Sequence, residues 1–183
     1  MLLKTLAVAM TALLACSGAA AQAASESFDH LSAQQITPEN PLVLDHFRVE
    51  LPLGGVAVVR RADQDDELTS GMVLGADKDW TLAHLMLRFD QPWRRITFSL
   101  VLPPTSESNI RSLFMLYGAD PDAPFSNATL MWHDIDRRRV RIELLRSTVD
   151  GPFQRVMLHL LRGAYVDNIS VTPSREAFDL ADE

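Results

Sequence analysis

Most of the chain consists of short stretches in which apolar and polar residues alternate, separated by turn residues. Alternation with a period of two predicts extended strands, because successive side chains of a strand point to opposite faces of a sheet. The segment ITFSLVL, residues 96–102, is the clearest case, since Ile96, Phe98, Leu100 and Leu102 share one face and two prolines end it. The Asp150-Gly151 pair predicts a hairpin turn between VRIELLRS and FQRVMLHLL. About nine strands are predicted, at spacings typical of an all-β, two-sheet antiparallel sandwich.

The N-terminal segment has a different pattern: one positive charge, a largely apolar run of about ten residues, and then small residues. This is the pattern of a secretory signal, and the apolar run is too short to span a membrane. Cleavage after Ala23 would remove residues 1–23. Alternatively, the sequence LLAC resembles the lipobox of bacterial lipoproteins, in which case residues 1–15 are removed and Cys16 is acylated. Both routes predict export, to the periplasm, to the outer membrane as a lipoprotein, or out of the cell.

The remainder of the chain is expected to hold one domain. Residues 24–41 show no sustained period and are rich in Ser, Gln and Ala, so they are predicted to form a flexible tether. The folded domain is predicted over residues 42–175, followed by a polar tail at residues 176–183. Cys16 is the single cysteine of the chain, so a packed core rather than a disulfide must stabilise the domain.

Charge and motif content exclude several function classes. The formal net charge of -7 argues against nucleic acid as a partner, because a surface that binds DNA or RNA needs an excess of positive charge. The chain contains no HExxH, no GxSxG and no glycine-rich phosphate loop, so no motif in the sequence indicates hydrolase or transferase chemistry. We therefore predict no catalytic residues and no required cofactor. A hydrolase that uses two acids from distant strands is the less favoured alternative.

The closing stretch AYVDNISVTP, residues 164–173, contains an acid in an apolar context. Counting by twos places on one face Tyr165, Asp167, Ile169 and Val171. Asp167 is thereby predicted to lie among core residues, where a carboxylate is costly unless it is paired or hydrogen-bonded. One interpretation is that it accepts hydrogen bonds locally, at a bulge or a sheet edge. The other is that it binds a structural cation.

Together with FQRVMLHLL, this closing stretch resembles the last two strands of β-jelly-roll carbohydrate-binding modules and galactose-binding-like domains. Such domains often end in an aromatic residue, an apolar residue, Asp-Asp or Asp-Asn, and alternating Ile or Val. The resemblance implies a sandwich of jelly-roll type that binds carbohydrate. It also implies that Asp167 lies near a structural calcium ion or fastens the N-terminal segment. Calcium takes about six to eight oxygen ligands, of which Asp167 and Asn168 offer only part.

The candidate ligand-binding residues are aromatic and basic. Trp80 and Trp93 are predicted to be exposed in loops, where their rings can stack on sugars. The one concentrated run of positive charge comprises Arg137, Arg138, Arg139 and Arg141. Guanidinium groups suit the carboxylate or sulfate groups of an acidic polysaccharide, or anionic lipid head groups. The alternative interpretation of this run is a solvated hairpin turn.

These features predict an exported, non-catalytic binding module that recognises carbohydrate in the cell envelope or outside the cell. The first alternative is an envelope structural or assembly protein that binds another protein; a glycan-active hydrolase is less favoured. The predicted partners are a glycan or acidic polysaccharide, or an envelope protein, and not nucleic acid. Contact with a membrane is predicted only through a lipid anchor on Cys16.

Overall fold

The structure of the chain, a computed structural model, describes residues 23–64, 68–77, 79, 82–103, 113–118, 124–125, 129–136, 138–146 and 151–172. The predictions made for the leader, for Cys16, Trp80 and Arg137, and for the tail at 176–183 lie outside these residues. Within the described part of the chain, no helix has the length and hydropathy needed to cross a membrane.

The described residues form antiparallel strands. In chain order they are β1 (Ala24–Glu26), β2 (Gln34–Ile36), β3 (Leu42–Val43), β4 (Phe47–Glu50), β5 (Ala57–Arg61), β6 (Met72–Ala76), β7 (Leu82–Trp93), β8 (Arg95–Val101), β9 (Phe114–Tyr117), β10 (Pro124–Phe125), β11 (Thr129–Asp136), β12 (Arg139–Leu145), β13 (Phe153–Leu161) and β14 (Tyr165–Thr172).

These strands build two sheets. The eight-stranded sheet has the order β11-β12-β8-β14-β6-β5-β2, and β1 pairs with the second half of β14. The six-stranded sheet has the order β10-β9-β13-β7-β4-β3. Consecutive strands lie in different sheets at β2/β3, β4/β5, β6/β7, β7/β8, β8/β9, β10/β11, β12/β13 and β13/β14. The predicted all-β, two-sheet antiparallel sandwich is confirmed, with more strands than the nine expected.

The core lies between the sheets and is built from the inward positions of each strand. Phe98 and Ile142 enter it from the eight-stranded sheet, and Leu85 and Leu158 enter it from the six-stranded sheet. Burial of each large apolar side chain contributes about 1.5–3 kcal/mol to folding. The period-two alternation of the sequence therefore marks which residues face the core.

The hairpin pairing expected across Asp150-Gly151 is not formed, although Asp150 itself lies outside the described residues. The strands on its two sides, β12 and β13, belong to different sheets. Gly151 does adopt a positive φ of 73°, as a tight turn requires. Which sheet a strand joins depends on packing partners elsewhere in the sequence, and a local Asp-Gly signal does not contain that information.

The predicted tether at residues 24–41 was wrong, because this segment belongs to the sandwich. Strand β1 pairs with β14, and strand β2 pairs with β5. Phe28 and Ile36 are buried in the main core. Two large side chains at irregular spacing give no periodic signal, yet their burial is favourable enough to order the segment. The domain therefore begins before residue 42.

Candidate functional site

The outer face of the six-stranded sheet carries rows of side chains that run across the strands. In β7, Ala83, Leu85 and Leu87 are buried in the core, so the residues between them, such as His84, point outward. Outward residues of neighbouring strands that are register partners lie side by side. Strand register therefore decides which outward side chains meet.

Three arginines form one of these rows, here called the arginine row: Arg48 of β4, Arg88 of β7 and Arg155 of β13. Arg88 is the register partner of both Arg48 and Arg155. Tyr117 of β9 extends the row as the register partner of Arg155. Like charges directly opposite each other on a sheet destabilise it. Folding alone therefore gives no reason for this arrangement.

The arginine row is only partly paired with carboxylates. One carboxylate oxygen, Oε1 of Glu50, lies 3.7 Å from Nη1 of Arg48 and 3.8 Å from Nη1 of Arg88. Both arginine side chains remain about half exposed, at 53% and 51%. Arg155 has no ion-pair partner among the residues that the structure describes. Among the described residues, Glu50 is thus the one carboxylate within ion-pair distance of these three guanidinium groups.

The arginine row forms part of an open groove of about 410 Å³. Asp45, Asp90 and Gln154 also line this groove. Guanidinium groups donate hydrogen bonds to anionic oxygens, whereas the two carboxylates accept them from hydroxyl groups. This combination suits a ligand that carries both hydroxyl groups and an acidic group.

Two further rows lie beside the arginine row on the same face. Strand register places Met115, Met157 and Met86 side by side across β9, β13 and β7, and places His159 beside His84. The Nδ1 atoms of the two histidines are 2.7 Å apart. Burial lowers the pKa of His159, and the neighbouring His84 lowers it further. We therefore expect His159 to be neutral at neutral pH.

Arg141, one of the sequence-predicted residues, lies on the opposite face of the molecule. It lines a second groove, of about 740 Å³, on the eight-stranded sheet. In that groove Arg95 and Glu143 form a two-point ion pair, with Nε to Oε1 at 2.8 Å and Nη2 to Oε2 at 3.2 Å. These two charges neutralise each other, and the groove also contains Glu26 opposite in charge to Arg141, so its lining holds no excess of positive charge.

The rest of the predicted arginine run surrounds a hairpin turn. Asp136 and Arg139 are register partners, which places the turn between β11 and β12. Arg138 is exposed in this turn, and its Nε donates a hydrogen bond to the backbone carbonyl of Leu102 at 3.2 Å. Arg139 points to the same side of β12 as Arg141. The geometry is that of the hairpin-turn interpretation.

Trp93 is not exposed, and the prediction that its ring is free to stack on a sugar was wrong. It ends strand β7, and its side chain is fully buried. Before Trp93 the pairing of β7 with β13 contains a β-bulge. From the pair Arg88–Arg155 to the pair Trp93–Phe153, the numbering changes from 88 to 93 on β7 but only from 155 to 153 on the antiparallel β13. The alternation along β7 is nevertheless kept: Trp93 lies an even number of residues from Leu87 and Phe89 and points into the core with them. Its Nε1 has no hydrogen-bond partner among the described residues.

Asp167 does not lie on the face predicted for it. The register of β14 against β8 shifts by one residue between Asp167 and Ser170, which marks a β-bulge. Asn168 adopts a φ of 52° there, a conformation that Asn tolerates better than most residues. The bulge reverses the alternation, so Ile169 faces the main core while Asp167 faces the other side of the sheet, with Tyr165.

Asp167 is nevertheless buried, beneath the loop that precedes β6. The backbone N–H of Ser70 donates to its Oδ2 at 3.2 Å, and the backbone N–H of Asn168 donates to its Oδ1 at 2.7 Å. Nearby, Oδ1 of Asp29 accepts a hydrogen bond from the backbone N–H of Met72 at 2.8 Å. Two carboxylates therefore fasten this loop.

Burial raises the pKa of Asp167 to about 6. Hydrogen bonds from Asn168 and Ser70 oppose this rise, and the charge of Asp29 adds to it. These bonds are local partners of the kind that the hydrogen-bonding interpretation requires. Within the described ranges, no group of three or more His, Cys, Asp or Glu side chains is placed to hold a metal ion. Calcium binding at Asp167 stays a prediction.

Sequence reasoning did not identify the arginine row. Its three members lie in separate stretches, LVLDHFRVEL, TLAHLMLRF and FQRVMLHLL. Each arginine occupies an outward position of an alternating strand, which is an ordinary place for a charged residue. The signal becomes specific only when strand register brings the three positions together.

Comparisons of the chain with protein-family models, with curated proteins and with solved structures found no match. The function is therefore inferred from the residues and geometry of this chain, together with the resemblance of its closing strands.

Proposed function

We propose that the chain is an exported, non-catalytic module that binds an acidic polysaccharide in the cell envelope or outside the cell. The observation that carries this proposal is the direct juxtaposition of Arg48, Arg88 and Arg155 across three strands. This arrangement is unfavourable in the free protein, and an anionic ligand would relieve it. The leader supports export, and the resemblance of the closing strands supports carbohydrate as the ligand.

A polysaccharide of uronic acids suits the chemistry of the groove. Each carboxylate of the polymer can accept two parallel N–H bonds from one guanidinium group. Hydroxyl groups of the sugar can donate to Asp45 and Asp90, and the amide of Gln154 can both donate and accept. Because the groove is open to solvent, salt will screen the ionic contacts, and binding should weaken as ionic strength rises.

Calorimetric titration with two matched polymers tests this proposal. Polygalacturonate carries one carboxylate per sugar, and the same polymer with its carboxyl groups reduced to alcohols carries none. We expect the protein to bind the first polymer and to bind the second at least about tenfold more weakly, since hydrogen bonds to charged groups contribute about 1.5–3 kcal/mol.

Single substitutions of arginine test which residues contact the polygalacturonate. Arg88→Gln and Arg155→Gln should each weaken polygalacturonate binding by about tenfold or more. Arg162→Gln removes an exposed arginine from the turn between β13 and β14, and this control should bind like the wild type. Equal binding of the two polymers would contradict recognition of the acid group. Unchanged binding in both groove variants would exclude the arginine row.

Two other outcomes would redirect the proposal. If Arg141→Gln abolished binding while Arg88→Gln did not, the site would be the groove on the eight-stranded sheet. If no acidic polysaccharide bound, and cross-linking in the cell envelope recovered one protein in a fixed ratio, the envelope assembly alternative would replace glycan binding.

A further inference from the structure

The outer face of the six-stranded sheet holds two histidines whose rings meet edge to face. His84 of β7 and His159 of β13 are register partners, with ring planes at 86° and ring centroids 4.8 Å apart. Their Nδ1 atoms are 2.7 Å apart, so one nitrogen carries a hydrogen and the other accepts it. Both Nδ1 atoms are therefore directed at one position between the strands.

Two methionines lie next to this histidine pair. Met157 precedes His159 by two residues on β13, and Met86 follows His84 by two residues on β7, so all four side chains share the outer face. Met157 and Met86 are themselves register partners. Each methionine lies diagonally across from the histidine of the other strand, at about 7–8 Å, a spacing that long and flexible side chains such as methionine can bridge. The thioethers can therefore reach the imidazole pair.

A third methionine of the row has a different contact. The sulfur of Met115 accepts a hydrogen bond from the hydroxyl of Tyr117 at 3.5 Å, and its side chain is among the most exposed large apolar groups in the described residues. Met157, by contrast, is buried although it points away from the main core. The ligand set is therefore confined to the two histidines, Met157 and Met86.

We propose that His84, His159, Met157 and Met86 form a binding site for the soft monovalent cation Cu(I). Thioether sulfur is a soft ligand that selects Cu(I), whereas carboxylate and carbonyl oxygens suit calcium and magnesium. All four groups bind as neutral ligands, so a monovalent ion leaves less uncompensated charge at the site than a divalent ion. The site uses none of the arginines of the arginine row and does not depend on polysaccharide binding.

Binding requires a small opening of the histidine pair. Metal–imidazole bonds of about 2.0–2.1 Å hold two ligand nitrogens about 3.3 Å apart in a tetrahedral shell, so the rings must separate by about half an ångström. The Nε2 atom of His159 has no hydrogen-bond partner among the described residues, which favours its hydrogen on Nδ1 in the free protein. When the ion binds, this hydrogen moves to Nε2 and the Nδ1 lone pair faces the metal.

Competition titration with a chromogenic Cu(I) chelator, under anaerobic reducing conditions, tests the site. Every protein in the comparison carries Cys16→Ser, so that the single thiol of the chain cannot compete for the ion. We expect one Cu(I) per chain. His84→Gln and His159→Gln should each weaken binding by about a hundredfold or more, because even outer partners of a metal ligand are worth about 10–100-fold in affinity.

Leucine replacements test the thioethers. Met157→Leu combined with Met86→Leu keeps the shape of the face and should weaken Cu(I) binding by about tenfold or more. The controls are His30→Gln and Met131→Leu, which change exposed residues away from the histidine pair. Both should bind Cu(I) like the Cys16→Ser protein. Cu(I) affinity that is unchanged in both histidine variants, or unchanged in the double methionine variant, would overturn the proposal.

X-ray absorption at the copper edge is a second test of the ligands. It is measured on the Cys16→Ser protein loaded with Cu(I), so the result does not depend on whether any of the ligand variants folds. The proposed site requires both nitrogen and sulfur neighbours around the metal. A shell of nitrogen and oxygen alone would overturn the thioether assignment, since no thiol is present in this protein.

Discussion

The backbone N–H of Ser70 donates a hydrogen bond to the carboxylate of Asp167 at 3.2 Å and joins positions 97 residues apart in the chain. This bond connects the loop before β6 to the bulge in β14. Asp167 lines neither of the two grooves described above. Its contacts hold the sheet and its covering loop together, and this gives it a measurable role in stability.

The pH dependence of stability should reveal Asp167. Burial raises its folded-state pKa to about 6, above the ordinary value of 3.8, so the folded protein binds this proton more tightly than the unfolded chain. The contribution of Asp167 to stability is fully present below the unfolded pKa and is lost as the pH rises through the folded pKa.

We expect the unfolding free energy of the wild type to increase relative to that of Asp167→Asn as the pH falls from about 7 to about 4, by up to about 3 kcal/mol. Urea denaturation at intervals across this range measures the difference. Parallel curves for the two proteins would contradict a raised pKa at Asp167.

Replacement of Gly71 by alanine should destabilise the protein more than the same change at Gly151. Both glycines have positive φ, of 62° and 73°, so the backbone strain of alanine is similar at the two sites. At Gly71 the new Cβ would collide with the carboxylate of Asp29, whereas no atom lies within 4 Å of a Cβ at Gly151. Chemical denaturation should show an additional loss of about 1–3 kcal/mol for Gly71→Ala. An equal loss at both sites would mean that Asp29 moves aside at little cost.

Neutralising the centre of the arginine row should not destabilise the fold. Arg88→Gln removes a like charge from between Arg48 and Arg155 and also removes the long ion pair with Glu50. Repulsion across a sheet is worth about 0.2–1 kcal/mol per pair, and exposed ion pairs are worth little. We expect a change between zero and a gain of about 1 kcal/mol in unfolding free energy. A clear loss would show that Arg88 has a structural role.

Trp93 should behave as a core residue. Trp93→Ala should reduce the unfolding free energy by about 3–5 kcal/mol, since it leaves a large cavity. Trp93→Phe should cost less, because it keeps an aromatic ring in the core, although a smaller one, and removes an Nε1–H that has no partner among the described residues. Trp93→Phe should also bind polygalacturonate like the wild type, and a selective loss of that binding would restore Trp93 as a ligand contact.

The segment before residue 42 should contribute to stability. Phe28→Ala removes a fully buried ring and should cost about 3–5 kcal/mol by thermal or chemical denaturation. Leu53→Ala is the matched control, because Leu53 is 67% exposed and its replacement should change stability by less than about 0.5 kcal/mol. A Phe28→Ala variant as stable as this control would support the flexible tether.

The sequence predicted the fold class well because alternation depends on neighbouring residues. Residues such as Phe98 and Leu85 alternate with polar positions and are buried as expected. The same rule failed at Asp167, where one extra residue in β14 reverses the faces. The Asp-Asn pair was the local signal for this bulge, because Asn favours the left-handed backbone that Asn168 adopts. At Trp93 the alternation held, and the error was to place this residue in a loop, although β7 continues through it and buries it with Leu87 and Phe89.

By itself, the sequence determined that the chain forms strands, which of their faces are apolar, and that its body must be held by a packed core. Those properties follow from side-chain chemistry and local spacing. The tertiary structure alone decided that Arg48, Arg88 and Arg155 stand side by side and that His84 meets His159. The register between strands far apart in sequence is set by the packing of the whole sandwich, and no local pattern encodes it.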